Sequence, residues 1–221
     1  MKKIFPLFLI ICLFMTSCQL SNHKESVADT ISTPVEKEEI RGIWISCYDH
    51  ISAENKTETE YKAETDKMFS TIKDTGFNTA FVHLRAFSDA FYESEIYPYS
   101  SYIAGKEGAD LPFDPFEIVL ESAKKHGISV HGWINPFRIS ANNNPDLLSD
   151  SNPAKNILKN DNSDGKIIIL PNGIYYNPAH TENHKRIIGG VREIISKYDN
   201  TFSYFEIVNE TYGNFKHVRH R

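Results

Sequence analysis

The sequence predicts an α/β fold, a partial (β/α)8 barrel of the TIM type comprising about its first four strands. Three observations lead there. Runs rich in β-formers alternate with helical periods between Ile40 and Val208, the pattern of parallel βαβ units. Two of those runs place polar side chains on a single strand face: Phe81, His83 and Arg85 in one, and His131, Trp133 and Asn135 in the other. A doubly wound sheet is usually apolar on both faces, so polar residues near C-terminal strand ends suit the mouth of a barrel. Long loops follow the second and third strands, where a barrel builds its active site.

The elements follow in order. Ile40 to Ser46 (IRGIWIS) is the first strand. Glu58 to Thr75 carries Tyr61, Thr65, Met68, Phe69 and Ile72 at helical spacing and ends at Gly76. Asn78 to Arg85 (NTAFVHLR) is the second strand, with Ala80, Val82 and Leu84 on the face opposite His83. Asp114 is an N-cap with Pro115 at the first helical position, and the helix runs through Phe116 to His126 before Gly127 closes it. Ile128 to Ile134 is the third strand, and Pro136 ends its pairing because proline cannot donate to a ladder. Asn135 to His180 reads as a long loop with a short strand at Lys166 to Leu170. Thr181 to Tyr198 is helical, and Thr201 to Val208 is the fourth strand.

The N-terminus reads differently. Met1-Lys2-Lys3 precedes an apolar run, Ile4 to Phe14, of secretory-signal length, too short to span a bilayer as a stable helix. Met15-Thr16-Ser17-Cys18 resembles the bacterial lipobox, so residues 1–17 are expected to be removed and Cys18 to carry a lipid. Residues 18–38 are polar and aperiodic, a flexible tether. Residues 39–221 are expected to form the N-terminal half of the barrel. Of the three cysteines only Cys47 remains for the fold, where a buried role suits it. A net charge of −5 argues against nucleic acid as a partner. Aromatic residues make up 12% of the chain, which suits a sugar-binding surface and a large core equally.

Six segments together resemble the glycosyl-hydrolase-like 10 family of bacterial lipoproteins. They are RGIWIS at Arg41 to Ser46, GFNTAFVHLRAFSDAFY at Gly76 to Tyr92, and SSYIAGKEG at Ser100 to Gly108. FDPFEIVLESAKKHGI at Phe113 to Ile128, HGWINPFRIS at His131 to Ser140 and the segment Tyr175 to Asp199 complete the set. The resemblance covers nearly all of residues 40–199. It implies a barrel that acts on glycan, such as bacterial cell-wall peptidoglycan strands or a related polysaccharide, from the cell envelope outside the cytoplasm. Two departures stand out: the family usually has Gln where this chain has His83, and paired aspartates where this chain reads FEIVNE. Asn209-Glu210 is similar to a different barrel clan, whose acid/base glutamate follows an asparagine after strand four. A complete barrel needs about 250 residues, so the chain reads as C-terminally truncated.

Glycoside cleavage needs two carboxyl groups flanking the bond, about 5 Å apart for retention or about 6.5–9.5 Å for inversion. Asp89, Asp49 and Glu210 lie near the expected mouth, and Asp89 and Glu210 are the catalytic candidates. His83, Arg85, His131, Trp133, Asn135 and Arg138 are expected to bind substrate, with Asn135 and Arg138 reaching the sugar. No metal is expected, because His83 and His131 lack a third ligand at recognisable spacing, and no cofactor is implied. The competing readings are a non-catalytic glycan-binding lipoprotein and an inactive fragment.

Overall fold

The computed structural model describes residues 39–160, 164–198 and 204–207. Cys18 and Glu210 lie outside the described residues, as do the expected signal and tether. Strands β1 (Gly42–Ile45), β2 (Thr79–Arg85), β3 (Ser129–Ile134) and β7 (Tyr204–Ile207) form one sheet in that order. Every neighbouring pair is parallel. Helix α1 (Glu58–Asp74) joins β1 to β2, and α3 (Pro115–Lys125) precedes β3 after the short α2 (Ser101–Ala104). Helix α5 (Thr181–Lys197) precedes β7. This sequential parallel order with helical crossovers is the opening half of a (β/α) barrel.

Local chemistry starts the helices where the sequence reading puts them. Thr57 caps α1 in a reciprocal box with Glu60. Asp114 caps α3, its carboxylate accepting from the Phe116 N–H at 3.0 Å, with Pro115 in the first turn. The buried residues of α1, Tyr61, Thr65, Phe69 and Ile72, repeat at intervals of one turn. They pack toward the outer face of the sheet, where Phe69 and Ile72 meet Ala80, Val82 and Leu84 of β2. Phe116, Val119 and Leu120 of α3, Val130 and Ile134 of β3, and Ile194 of α5 complete this core. Fully burying each such large side chain stabilises the fold by about 1.5–3 kcal/mol. Cys47 is buried and takes part in no disulfide among the described residues.

Two expectations need correcting. The segment from Asn135 to His180 is not mainly loop. It holds β4 (Arg138–Ser140), a 3-10 turn at Pro145–Leu147, α4 (Pro153–Lys159), β5 (Ile167–Leu170) and β6 (Gly173–Tyr176). The strands make an antiparallel sheet in the order β4-β6-β5. Ile139, Leu148, Ala154, Ile174 and Tyr176 give this insert its own core. Strand β5 matches the short strand expected at Lys166 to Leu170, whereas β4 and β6, of three and four residues, are too short to show an alternating pattern.

The second correction concerns Arg85. His83 pairs with Trp133, but Ile134 pairs with Arg85 rather than Leu84. This bulge puts two residues of β2 against one of β3 and turns Arg85 away from the inner face. Its guanidinium packs 3.7 Å from the centre of the Tyr97 ring, and a Cβ on Gly190 of α5 would lie 3.1 Å from its Nη1. Arg85 is completely buried on the helix side of the sheet and does not open into the mouth.

Candidate functional site

The inner face of the sheet is aromatic. Trp44 stacks on Phe81 with centroids 4.5 Å apart and meets Trp133 edge-on at 4.9 Å. His131 lies edge-on to Phe81 at 4.9 Å, and His83 stacks flat on Trp133 at 3.7 Å. The structure brings His83, His131 and Trp133 together on this face.

Asn135 holds this cluster instead of facing outward. Its Oδ1 accepts from the Trp133 Nε1–H at 3.0 Å, and its Nδ2 donates to the Ala86 carbonyl at 3.3 Å. Its backbone N–H donates to the Arg85 carbonyl at 2.8 Å. With both ends of the amide engaged and the residue buried, Asn135 orients Trp133 and does not reach a ligand directly.

His83 is fixed as well. Its Nδ1 accepts the Cys47 backbone N–H at 3.2 Å, which leaves the proton on Nε2 of a neutral ring. Burial first, and then the neighbouring His50, push its pKa down to about 3. His50 donates from Nε2 to the His83 carbonyl at 2.9 Å.

Beyond the C-terminal ends of β2 and β3 lies a cleft of about 1080 Å³. One wall comes from the segment after β2, with Phe87, Asp89, Tyr102 and Glu107, and the other from the insert after β3. Hydrogen bonds tie the walls together. The Ser88 N–H donates to the Ile139 carbonyl at 3.2 Å, and the Ser88 hydroxyl meets the Tyr176 phenol at 2.7 Å. Asn152 Nδ2 donates to the Ser88 carbonyl at 3.1 Å and to Glu107 Oε1 at 2.5 Å. Glu107 Oε2 accepts from the Ser149 N–H at 3.0 Å. Arg138 in β4 places its guanidinium 5.5 Å from the centre of the Phe87 ring.

Asp89 is buried in this cleft. It accepts from the Phe87 N–H at 3.2 Å and from the Ser100 side chain. Burial pushes its pKa up to about 6, and the Glu107 charge acts in the same direction, against those hydrogen bonds. A carboxyl group so placed keeps its proton to a higher pH than an ordinary aspartate, up to about 6. Asp49 has the opposite character. It accepts from the Ser46 N–H at 2.9 Å and the Ser46 hydroxyl at 2.5 Å, and that hydroxyl bond lowers its pKa. It shapes a turn outside the cleft.

Sequence reasoning missed Glu107, Phe87, Tyr102 and Trp44. A signal for Glu107 was present: Gly105 and Gly108, both in the positive-φ region, bracket Lys106-Glu107 and turn that pair into the cleft wall. Among the described residues no group of three or more His, Cys, Asp or Glu side chains could hold a metal ion.

A parallel βα half-barrel with an acid-lined cleft at its C-terminal strand ends belongs to the class of barrel proteins that place their sites in that mouth. The chain is a member of the glycosyl hydrolase-like 10 family, whose sequence model matches residues 39–205. It is 30% identical over 165 residues to glycosyl hydrolase YngK of Bacillus subtilis, covering 73% of this chain and 31% of that protein. It is 27% identical over 132 residues to glycosyl hydrolase DigH of Escherichia coli K12, covering 55% and 30% respectively. The chain therefore spans about a third of the length of these curated relatives. An α-galactosidase from Thermus thermophilus superposes on 76% of this chain and 29% of its own with a TM-score of 0.43 at 10% identity, a likeness too slight to carry weight.

Proposed function

We propose that the chain is the part of a glycoside hydrolase that binds bacterial cell-wall glycan, or a related polysaccharide, at the mouth of the barrel. The observation that carries this reading is a buried, protonatable Asp89 in a cleft beyond the C-terminal ends of β2 and β3. Membership of the family and the two relatives named as glycosyl hydrolases support it. Asp89 acts as the general acid and delivers its proton to the glycosidic oxygen as the bond breaks. Glu107, oriented by Asn152 and Ser149, serves as the second carboxyl group of the reaction, and Glu210 is the other candidate for that role. Trp133 and His83 stack on each other on the inner face of the sheet, while Arg138 lies against Phe87 at the cleft wall.

The test is the release of reducing ends from denuded glycan strands by the chain and by Asp89→Asn. An acid with a pKa near 6 must be protonated to work, so activity should fall as pH rises through that value. Asp89→Asn should lower kcat by about 100-fold or more, the usual scale of acid–base catalysis. Unchanged kcat in the variant contradicts the assignment. Binding without cleavage by the unaltered chain would favour the non-catalytic glycan-binding reading.

We further propose that a lipid on Cys18 holds the protein at the cell envelope, on the strength of the Met15-Thr16-Ser17-Cys18 motif. Cys18→Ala should abolish lipid labelling and shift the protein out of the membrane fraction. Unaltered labelling and fractionation would end that proposal.

A further inference from the structure

The entrance to the cleft carries aromatic surface for which the chemistry at Asp89 has no use. Tyr48, on the loop after β1, is 74% exposed. Its ring meets Tyr102 edge-to-face at 5.3 Å and 84°. Tyr102 in turn lies within 19° of parallel to Phe87, with centroids 6.4 Å apart. Tyr102 and Phe87 both line the cleft, and the Phe87 N–H is bonded to Asp89. Rings from the loop after β1, from α2 and from the loop after β2 therefore follow one another from solvent to the acid.

Aromatic faces suit the C–H-rich faces of pyranose rings, and tyrosine adds a phenol at the wet edge. The cleft, at about 1080 Å³, is larger than pockets that bury one drug-sized ligand, about 300–1,000 Å³. Its other lining includes Ser101, Ser140, Asn142, Ser149 and Ser151, side chains that offer uncharged hydrogen bonds to hydroxyl or acetamido groups.

We propose that Tyr48, Tyr102 and Phe87 form an aromatic track that binds successive sugar units of an extended glycan, with Tyr48 holding the unit farthest from Asp89. This rests on the reading of the cleft as a glycan site and adds to it a ligand of several linked pyranoses and a remote subsite. Tyr48 touches no reacting atom, so its loss should weaken long ligands and spare short ones.

Isothermal titration of the full chain with β-1,4-linked N-acetylglucosamine oligomers, from dimer to hexamer, tests the track. Affinity should rise with length in the unaltered chain. Tyr48→Ala should weaken the longest oligomer by about 3- to 10-fold and leave the dimer unchanged, while Tyr48→Phe retains the gain. Because Tyr48 is so exposed, the circular dichroism spectrum and Tm should be unaltered in both variants. Equal affinity of Tyr48→Ala and the unaltered chain for every length overturns the track, as does an affinity independent of length. If the unaltered chain binds none of the oligomers, the glycan reading itself fails and takes the track with it.

Discussion

Arg85 shows how one residue can carry sound chemistry and a wrong address. An arginine is almost never buried unpaired, so its position at the end of β2 read as a ligand contact. A single extra residue, Leu84, rotates it behind the sheet, and no alternating pattern announces a bulge in advance. None of its three guanidinium nitrogens meets a hydrogen-bond acceptor among the described residues; the group lies on Tyr97 instead. A buried charge so placed costs desolvation with little return, and well-packed apolar replacements of similar volume are often neutral or stabilising. Arg85→Met should therefore hold or raise stability, whereas Arg85→Ala, which empties the space, should lose about 2 kcal/mol or more. Denaturant unfolding measures both. An equal loss in the two variants would show that the charge, and not the volume, is what this position needs. His83, His131 and Trp133 were legible because they lie on the unbulged part of their strands, where period-two spacing holds.

At the scale of elements, the long strands and helices announced themselves and the insert did not. Helices α1 and α3 each span three turns or more with a capping signal at the start, and their expected bounds differ from the observed ones by only a residue or so. The insert β4–β6 depends on contacts between distant segments, which no local window contains. Asn152 is the clearest of these: it caps α4 through the Ala154 N–H at 2.9 Å and joins Ser88 and Glu107 across the cleft. Asn152→Ala removes a cap and a buried bond to a carboxylate at once, so unfolding should become easier by about 2–4 kcal/mol. Cleavage should fall too, because Glu107 loses the group that orients it. A variant with unchanged stability and unchanged activity would show that the two walls stand independently.

For the whole molecule, the alternation of strands and helices conveyed the barrel class, and the long segments after the second and third strands conveyed which end opens into a cleft. The cleft itself was not legible, since one wall comes from residues 87–109 and the other from 139–155, brought together only by the fold. Its place after β2 marks Asp89 in the sequence. Its raised pKa follows from burial first and then from the charge of Glu107, which is not its neighbour in sequence, against the Ser100 hydrogen bond. The account's central claim is that glycan lies in this cleft and not elsewhere on the surface. Backbone hydrogen exchange, with and without a saturating N-acetylglucosamine oligomer, tests it most directly. Slowed exchange concentrated in residues 87–109 and 139–155, with the outer helix α3 unchanged, is the predicted result. No protection in those two segments, or protection confined to the outer helices, would contradict the account.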